Sequence, residues 1–447
     1  MPLETIEINS QFKAALDLME NSSEPVFVTG RAGTGKSTLL SHFCQTTGKA
    51  VAVLAPTGVA AINVRGQTIH SFFGFKPDIT TQQSKALAMR AARYKEAELY
   101  QKLETLVIDE ISMVRADLLD CMDVFLRTVR KRKQRPFGGV QIIMIGDLYQ
   151  LPPVVTTTER EIFKLHYASP YFFSSHVFSQ MIPHLVELET VYRQKDQSFI
   201  DLLNAVRNNS LTDEQIEAIN ACYEPDFDSI KSEDFYIHLT STNEQASLIN
   251  RQRLDSLPGA LHTFEGVIDG NFEQKNYPTE WQLQLKKNAQ VMLLNNDPSG
   301  RWVNGTMGII TEISTGQVEE IKVELENGRE DWIKPVRWEI LHYDYDEKEK
   351  TLVTEPVGAF TQYPLKLAWA ITIHKSQGKT FDRVILDVGR GTFATGQMYV
   401  ALSRCRHLKG LILKKPLRRS HVFVDQRIVS FLTSYTHRKP VFTDFLT

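Results

Sequence analysis

The segment from Gly30 to Ser37, GRAGTGKS, fulfils the G-x-x-x-x-G-K-S pattern of a phosphate-binding loop. It follows a short apolar run, PVFVTG, and opens a stretch with helical character, which is the context the pattern needs. Glycines at 30, 33 and 35 let the backbone curl so that successive N–H groups and a helix amino terminus face phosphate oxygens. Lys36 is placed for the β and γ phosphates and Ser37 for Mg²⁺. Such a loop commits the chain to an α/β fold with strands leading into helices. The apolar runs AVAVLA, LETLVIDE and VQIIMIGD supply further strands of a parallel sheet covered on both faces.

Polar residues close these runs, where open α/β sheets bind their ligands. Asp109 and Glu110 end LVIDE, an arrangement in which the first carboxylate holds Mg²⁺ and the second polarises an attacking water. Asp147 and Gln150, in IGDLYQLPPV, end the next strand. Gln150 reads either as a contact to the γ-phosphate or as a surface glutamine on a proline-stiffened loop. Arg193 and Arg404 are candidates to neutralise charge developing on the γ-phosphate, or else ordinary ion-pair partners.

At 447 residues the chain has room for about three domains. Residues 1–190 read as a first α/β unit, with a polar helical excursion at about 62–103. Residues 191–302 and 362–447 read as a second α/β domain. Short alternating strands punctuated by glycine, at 303–361, read as a small antiparallel barrel inserted into it. Fifty-one basic against 53 acidic side chains leave a formal charge of -2, which excludes a wholesale cationic coat but not a local basic groove. The four cysteines are widely spaced, with no zinc-knuckle pattern, and are expected as reduced thiols. No secretory leader and no apolar run of membrane-spanning length is expected. The basic run RTVRKRKQR, Arg127 to Arg135, is either a solvated helix end or a contact to DNA or a partner.

Taken in order, GRAGTGKST, VLAPTGVAAINVRGQTIHSFF, VIDEISM, IGDLYQLPP, LETVYRQ, AITIHKSQGKTFDRVILD and YVALSRCR resemble the petite-integration-frequency (PIF) helicases, in the RecD-like branch of superfamily 1. The resemblance runs from Gln11 to about Gly410. It implies two RecA-like motor domains with parallel sheets, an SH3-like β-barrel insertion and a small wedge subdomain. It implies ATP and Mg²⁺ as cofactors, with nucleotide contacts from Gln11, Gly30, Gly33, Thr34, Gly35, Lys36, Ser37, Thr38 and Gly378. Ser37 and Asp109 fall on the metal, Glu110 on the attacking water, Gln150 on the γ-phosphate, and Arg193 and Arg404 are the arginines donated by the second motor. DNA contacts fall on Pro56, Thr57, Gly58, Val59, His70, Phe72, Thr240, Asn243, Thr372, His374, Lys375 and Ser376. Phe72, Phe73 and Trp369 are either stacking platforms for bases or core residues.

The activity so implied is 5′-to-3′ translocation on single-stranded DNA with unwinding of forked duplexes, and of RNA–DNA hybrids or guanine quadruplexes. An ATPase that remodels protein–DNA complexes without unwinding has the same motifs. A compact protein of bacterial or phage type is expected, since the long amino-terminal extension of eukaryotic members is missing. A monomer is expected because both halves of the ATP site can come from one chain, and the reduced cysteines suit a cytoplasmic location.

Overall fold

A computed structural model describes residues 8–94, 97–155, 163–194, 196–228, 234–315, 319–346, 351–387 and 394–436. The chain divides into two compact units, one built on Glu7–Val191, Ile340–Pro356 and Val424–Thr447, the other on Tyr192–Glu339 and Val357–Phe423.

The first unit opens with α1 (Ser10–Asn21), β1 (Val26–Gly30), α2 (Lys36–Thr46), β2 (Val51–Ala55), α3 (Gly58–Asn63), β3 (Gln67–Thr68), α4 (Ile69–Phe73), α5 (Thr81–Ala91), α6 (Ala97–Lys102), β4 (Thr105–Ile108), α7 (Ala116–Val129), β5 (Gln141–Ile145) and β6 (His184–Leu188). The strands form one parallel sheet in the order β3-β2-β4-β5-β1-β6. β1, β4 and β5 are buried along their whole length. That is why they read as unbroken apolar runs rather than alternating ones. β3 and β6 had no counterpart among the expected strands. Within the polar helical excursion expected at about 62–103, the chain forms two helices beyond α4, namely α5 and α6. α5 starts at a capping box between Thr80 and Gln83.

The second unit carries α8 (Gln197–Arg207), α9 (Asp213–Asn220), β7 (Ile237–Thr240), α10 (Asn243–Ser256), β8 (His262–Glu265), β9 (Val267–Gly270), β10 (Gln282–Leu285), β11 (Gln290–Leu293), β12 (Met307–Thr315), β13 (Glu319–Leu325), β14 (Glu330–Ile333), β15 (Val336–Asp346), β16 (Thr351–Gln362), β17 (Leu365–Leu367), β18 (Ala370–Thr372), β19 (Val384–Leu386), α11 (Gln397–Leu402) and β20 (Leu411–Leu413). Its parallel sheet runs β18-β7-β19-β20. Beside it are a five-stranded sheet, β14-β13-β12-β11-β17, a three-stranded sheet, β15-β16-β9, and the pair β10-β8. The five-stranded sheet is antiparallel throughout and shares a core of Val291, Leu293, Ile310, Ile321, Val323 and Ile333. The α/β class with two parallel sheets and added antiparallel strands is therefore the one expected.

The two units do not set the expected barrel, 303–361, apart, and two segments group differently from the expected limits. The far ends of β15 and β16, residues 340–356, and the chain from 424 onward group with the first unit. Side-chain burial explains both. Tyr343 sits in the first unit's core, edge-on to Phe72 at 5.8 Å, and its hydroxyl accepts the Val53 N–H at 3.0 Å. α12 (Gln426–Thr436) stacks Phe431 on Phe173 at 4.2 Å and seats Ile428 and Tyr435 in the same core. Among the described residues, no helix is long and apolar enough to cross a membrane.

Candidate nucleotide and nucleic-acid site

In the first sheet β5 lies between β4 and β1. Neighbouring strands are ~4.8 Å apart, so three consecutive strand ends span only ~10 Å. Those ends carry Gly30, Asp109 and Asp147, all on the carboxyl edge. The turn after β1 needs its glycines: Gly30, Gly33 and Gly35 have φ of 152°, 82° and 86°. A Cβ on Gly30 would lie 2.5 Å from the Leu188 carbonyl oxygen. Gly35 caps α2 with no side-chain hydrogen bond, which leaves the helix amino terminus for an anion.

Lys36 folds back on the loop, its Nζ donating to the carbonyls of Gly30 at 2.7 Å and Arg31 at 2.9 Å. Thr34 is buried, and its hydroxyl donates to the Arg31 carbonyl at 2.9 Å. Ser37 and Thr38 are exposed on the first turn of α2. Burial raises the Asp109 carboxyl to about 6, opposed by the Glu110 N–H and by the charge of Lys36. That charge links the loop to the end of β4. Glu110 takes a left-handed backbone, φ 50°. Gln150 is buried against Asp147, with its N–H on the Asp147 carbonyl at 3.0 Å and its Nε2 3.4 Å from the carboxylate. It is not a loop-surface glutamine. Gln11, on α1, accepts the Glu189 N–H at 3.0 Å.

The donor set suits Mg²⁺. A hydroxyl at Ser37 and a carboxylate at Asp109 are hard oxygen ligands, and Mg²⁺ binds with one or two carboxylates plus phosphates. Among the described residues, no group of three or more His, Cys, Asp or Glu forms a separate metal cage.

Pro56, Thr57, Gly58 and Val59 follow β2 on the same carboxyl edge. Thr57 caps α3 by accepting the Ala60 N–H, and Val59 is 51% exposed. His70 lies on α4. Phe72 departs from expectation. It is only 2% exposed and packs edge-on against Phe73, Tyr100 and Tyr343. No base can stack on it, and Phe73 is buried with it. Trp369 is partly buried against the core of the five-stranded sheet.

In the second unit, Thr372 and Ser376 are buried around the turn after β18. The Thr372 hydroxyl accepts the Lys375 N–H at 3.3 Å, and the Ser376 hydroxyl donates to Ile373 at 2.7 Å. His374, Lys375 and Gly378 are exposed on that turn. Thr240 is buried at the end of β7, and Asn243 is exposed at the start of α10. Arg193 reaches the carbonyls of Ser403 and Gly378, both at 3.4 Å. Arg404, 1% exposed, donates to the carbonyls of Val400, Ser376 and Lys379 and to the Ser403 hydroxyl. The two arginines thus share one turn with Gly378.

Sequence reasoning missed Gln194 and Asn250. Gln194 is buried and donates to the carbonyls of Ser403 and Cys405, so it fastens the Arg193 segment to the end of α11. Asn250 pairs both ways with the Ala370 backbone at 2.8 Å and holds β18. Gln194 follows Arg193 directly inside LETVYRQ, which was the available signal. Asn250 had none.

Residues 5–217 match the PIF1-like helicase family, and residues 367–412 match the UvrD-like helicase C-terminal domain. The ATP-dependent DNA helicase Pif1 of Bdellovibrio bacteriovorus is 34% identical over 442 residues, covering 97% of this chain and 94% of that protein. The chain belongs to the PIF1-like helicase family. Mouse ATP-dependent DNA helicase PIF1 is 37% identical over 415 residues, which is 90% of this chain but 59% of the mouse protein. This PIF1-like chain therefore spans about 60% of the length of such vertebrate relatives. Among solved structures, Bacteroides sp. Pif1 in complex with ADP-AlF4 superposes with a TM-score of 0.86 at 36% identity, covering 96% of this chain and 97% of that one. Bacteroides Pif1 bound to ssDNA has a TM-score of 0.67 at 36% identity, with the same coverage.

Proposed function

We propose that this PIF1-like chain is an ATP-dependent DNA helicase that moves 5′ to 3′ on single-stranded DNA and opens forked duplexes. The observation that carries it is the gathering of Lys36, Asp109 and Glu110 at one carboxyl edge, in a chain that matches a bacterial Pif1 almost end to end. Structures of Bacteroides Pif1 bound to ssDNA and of Pif1 helicases at forked dsDNA support the substrate.

In this reading Lys36 leaves the loop carbonyls for the β and γ phosphates, and Glu110 orients the attacking water. Ser37 and Asp109 would hold Mg²⁺, which supplies charge neutralisation at the phosphates. Gln150, Arg193 and Arg404 answer to the γ-phosphate, and Gln11 to the base. The loops at 56–59, 240–243 and 372–376 grip the DNA backbone without reading sequence. α5 and α6 serve as the wedge, and the five-stranded antiparallel sheet as the SH3-like barrel. RNA–DNA hybrids and guanine quadruplexes extend the same reading.

The test is ATP-driven strand release from matched duplexes with a 5′ or a 3′ single-stranded tail, with Lys36→Ala alongside. Release from the 5′-tailed substrate alone, abolished in the variant, is expected. Release from the 3′ tail overturns the polarity. ATP turnover without release from either overturns the unwinding and leaves a translocating remodeller.

A further inference from the structure

The basic run at the end of α7 separates into two kinds of residue. Arg127 and Arg130 are structural. Arg127 pairs with Asp123 at 2.7 Å and bonds Gln180 and the Lys133 carbonyl. Arg130 donates to the carbonyls of Tyr100, Gln101 and Leu103, and its Nε to Gly138 at 3.0 Å. The guanidinium therefore clasps the carboxyl end of α6. Lys131, Arg132, Lys133 and Arg135 are all exposed. Among the described residues none of these four side chains has an ion-pair or hydrogen-bond partner.

The turn that bears them is held firmly. The Asp123 carboxylate accepts the Phe137 N–H at 2.6 Å. Gly138, at φ 62°, lies so close to α7 that a Cβ would sit 2.7 Å from the Leu126 carbonyl oxygen. Four cations within five positions, in a chain of net charge -2, make a local positive field that favours an anionic partner. The turn leads into the amino end of β5, whereas the Pro56–Val59 loop lies at the carboxyl edge of the same sheet. With five residues in β5, the two edges are ~17 Å apart. The turn and the 56–59 loop are therefore separate surfaces at opposite edges of the sheet.

We infer that Lys131, Arg132, Lys133 and Arg135 bind the phosphate backbone of the duplex arm of a fork, next to the wedge that Arg130 anchors. This rests on the helicase reading above and on α5–α6 as the wedge. The partner is sequence-independent: a run of phosphates, met by side chains on a preorganised turn.

The test compares binding of a forked duplex and of its single-stranded tail alone, by fluorescence anisotropy over a salt series. The protein is the full chain carrying Lys131→Gln, Arg132→Gln, Lys133→Gln and Arg135→Gln. For the fork, the slope of log affinity on log salt should shrink by about 0.9 for each phosphate that the variant no longer neutralises, about 2 to 4 in all. The slope for the tail alone and the ATP turnover it stimulates should stay at wild-type values. A charge-preserving variant, Arg132→Lys with Arg135→Lys, should retain the fork slope. An equal drop on both substrates would put the turn on the single-strand track and overturn the inference. No drop on either would make it a solvated face or a protein-binding surface, which overturns it as well. If the wild-type chain neither binds nor opens the fork, the helicase reading fails first. If it does both and the quadruple variant matches it, only the duplex assignment fails.

Discussion

Arg404 donates one nitrogen to the main-chain carbonyls of Ser376 and Lys379, at 3.3 and 3.1 Å, and its Nε to Val400 at 2.9 Å. The guanidinium thereby ties the end of α11 to the turn that follows β18. Thr372, His374, Lys375 and Ser376, the residues assigned to DNA, lie in or beside that turn. A residue assigned to the γ-phosphate and a loop assigned to the DNA backbone are thus joined by main-chain hydrogen bonds within one unit. Arg193 adds a second, looser link to the same turn through Gly378.

The two arginines should therefore separate in stability while agreeing in activity. Arg404→Ala removes four donated hydrogen bonds, to the carbonyls of Val400, Ser376 and Lys379 and to the Ser403 hydroxyl, although the Ser376 carbonyl keeps the Lys379 N–H and the Val400 carbonyl keeps the Ser403 hydroxyl. At about 1 kcal/mol for each hydrogen bond from the charged guanidinium, its loss should lower unfolding free energy by ~3–5 kcal/mol. Arg193→Ala gives up only hydrogen bonds at 3.4 Å and should cost less than ~1 kcal/mol. Both should reduce ATP turnover by about a thousandfold, as expected on removing an arginine from a transferring phosphoryl group. Urea unfolding and steady-state ATP hydrolysis on the same preparations check this. Equal destabilisation by the two substitutions would show that the Arg404 hydrogen bonds are not what holds the turn.

Lys36 makes a different prediction because its part-buried hydrogen bonds to the carbonyls of Gly30 and Arg31 are local to its own loop. Lys36→Ala should lower stability without nucleotide by under ~1 kcal/mol. ATP-driven strand release should vanish, and the stabilisation that ATP and Mg²⁺ give the wild type in thermal unfolding should shrink sharply. A protein unfolded by the substitution would instead show the lysine to be structural.

Local motifs were legible and long-range partners were not. GRAGTGKS, VIDE and the turn after VQIIMIGD could be placed because each is a strand end followed by its own polar loop. The helices at Gln197–Arg207 and Asp213–Asn220 are marked locally, the first by its Asp196 cap and apolar periodicity and the second by a capping box at Thr212. The partner of Val53, by contrast, is Tyr343, 290 residues away. Nothing near either residue points to the other. Residues 340–356 were for the same reason assigned wholly to the barrel. The paired phenylalanines at 72 and 73 look alike as platforms or as core, since exposure is decided by Tyr100, Phe125 and Tyr343 from distant segments.

Phe72 tests that last point. It lies under Tyr343 and beside Tyr100, whose hydroxyl donates to the Phe72 carbonyl at 2.7 Å. Phe72→Ala should cost ~3–5 kcal/mol in unfolding free energy through the cavity it opens. Phe72→Leu should cost about 1 kcal/mol and leave affinity for single-stranded DNA unchanged at fixed salt. Weaker DNA binding by the folded leucine variant would return the ring to the DNA site.

Lys366, on β17, gives a prediction in pH. Burial first and the charge of Lys375 second lower its ammonium to about 8, with Glu280 opposing. Lys379, lowered to about 8 by burial and then by Lys366, is its other cationic neighbour. A lysine whose folded value lies below its unfolded one destabilises the fold while it is charged. The penalty is therefore complete below pH ~8, fades as pH rises from there, and is gone above the unfolded value of ~10.4. Lys366→Met, which keeps the aliphatic length, should stabilise the protein at pH 7 by about 1 kcal/mol once water access to the ammonium is allowed for. That advantage should disappear by about pH 10. Urea unfolding of both proteins at the two pH values is the measurement, and an advantage that grows with pH would reverse the assigned sign.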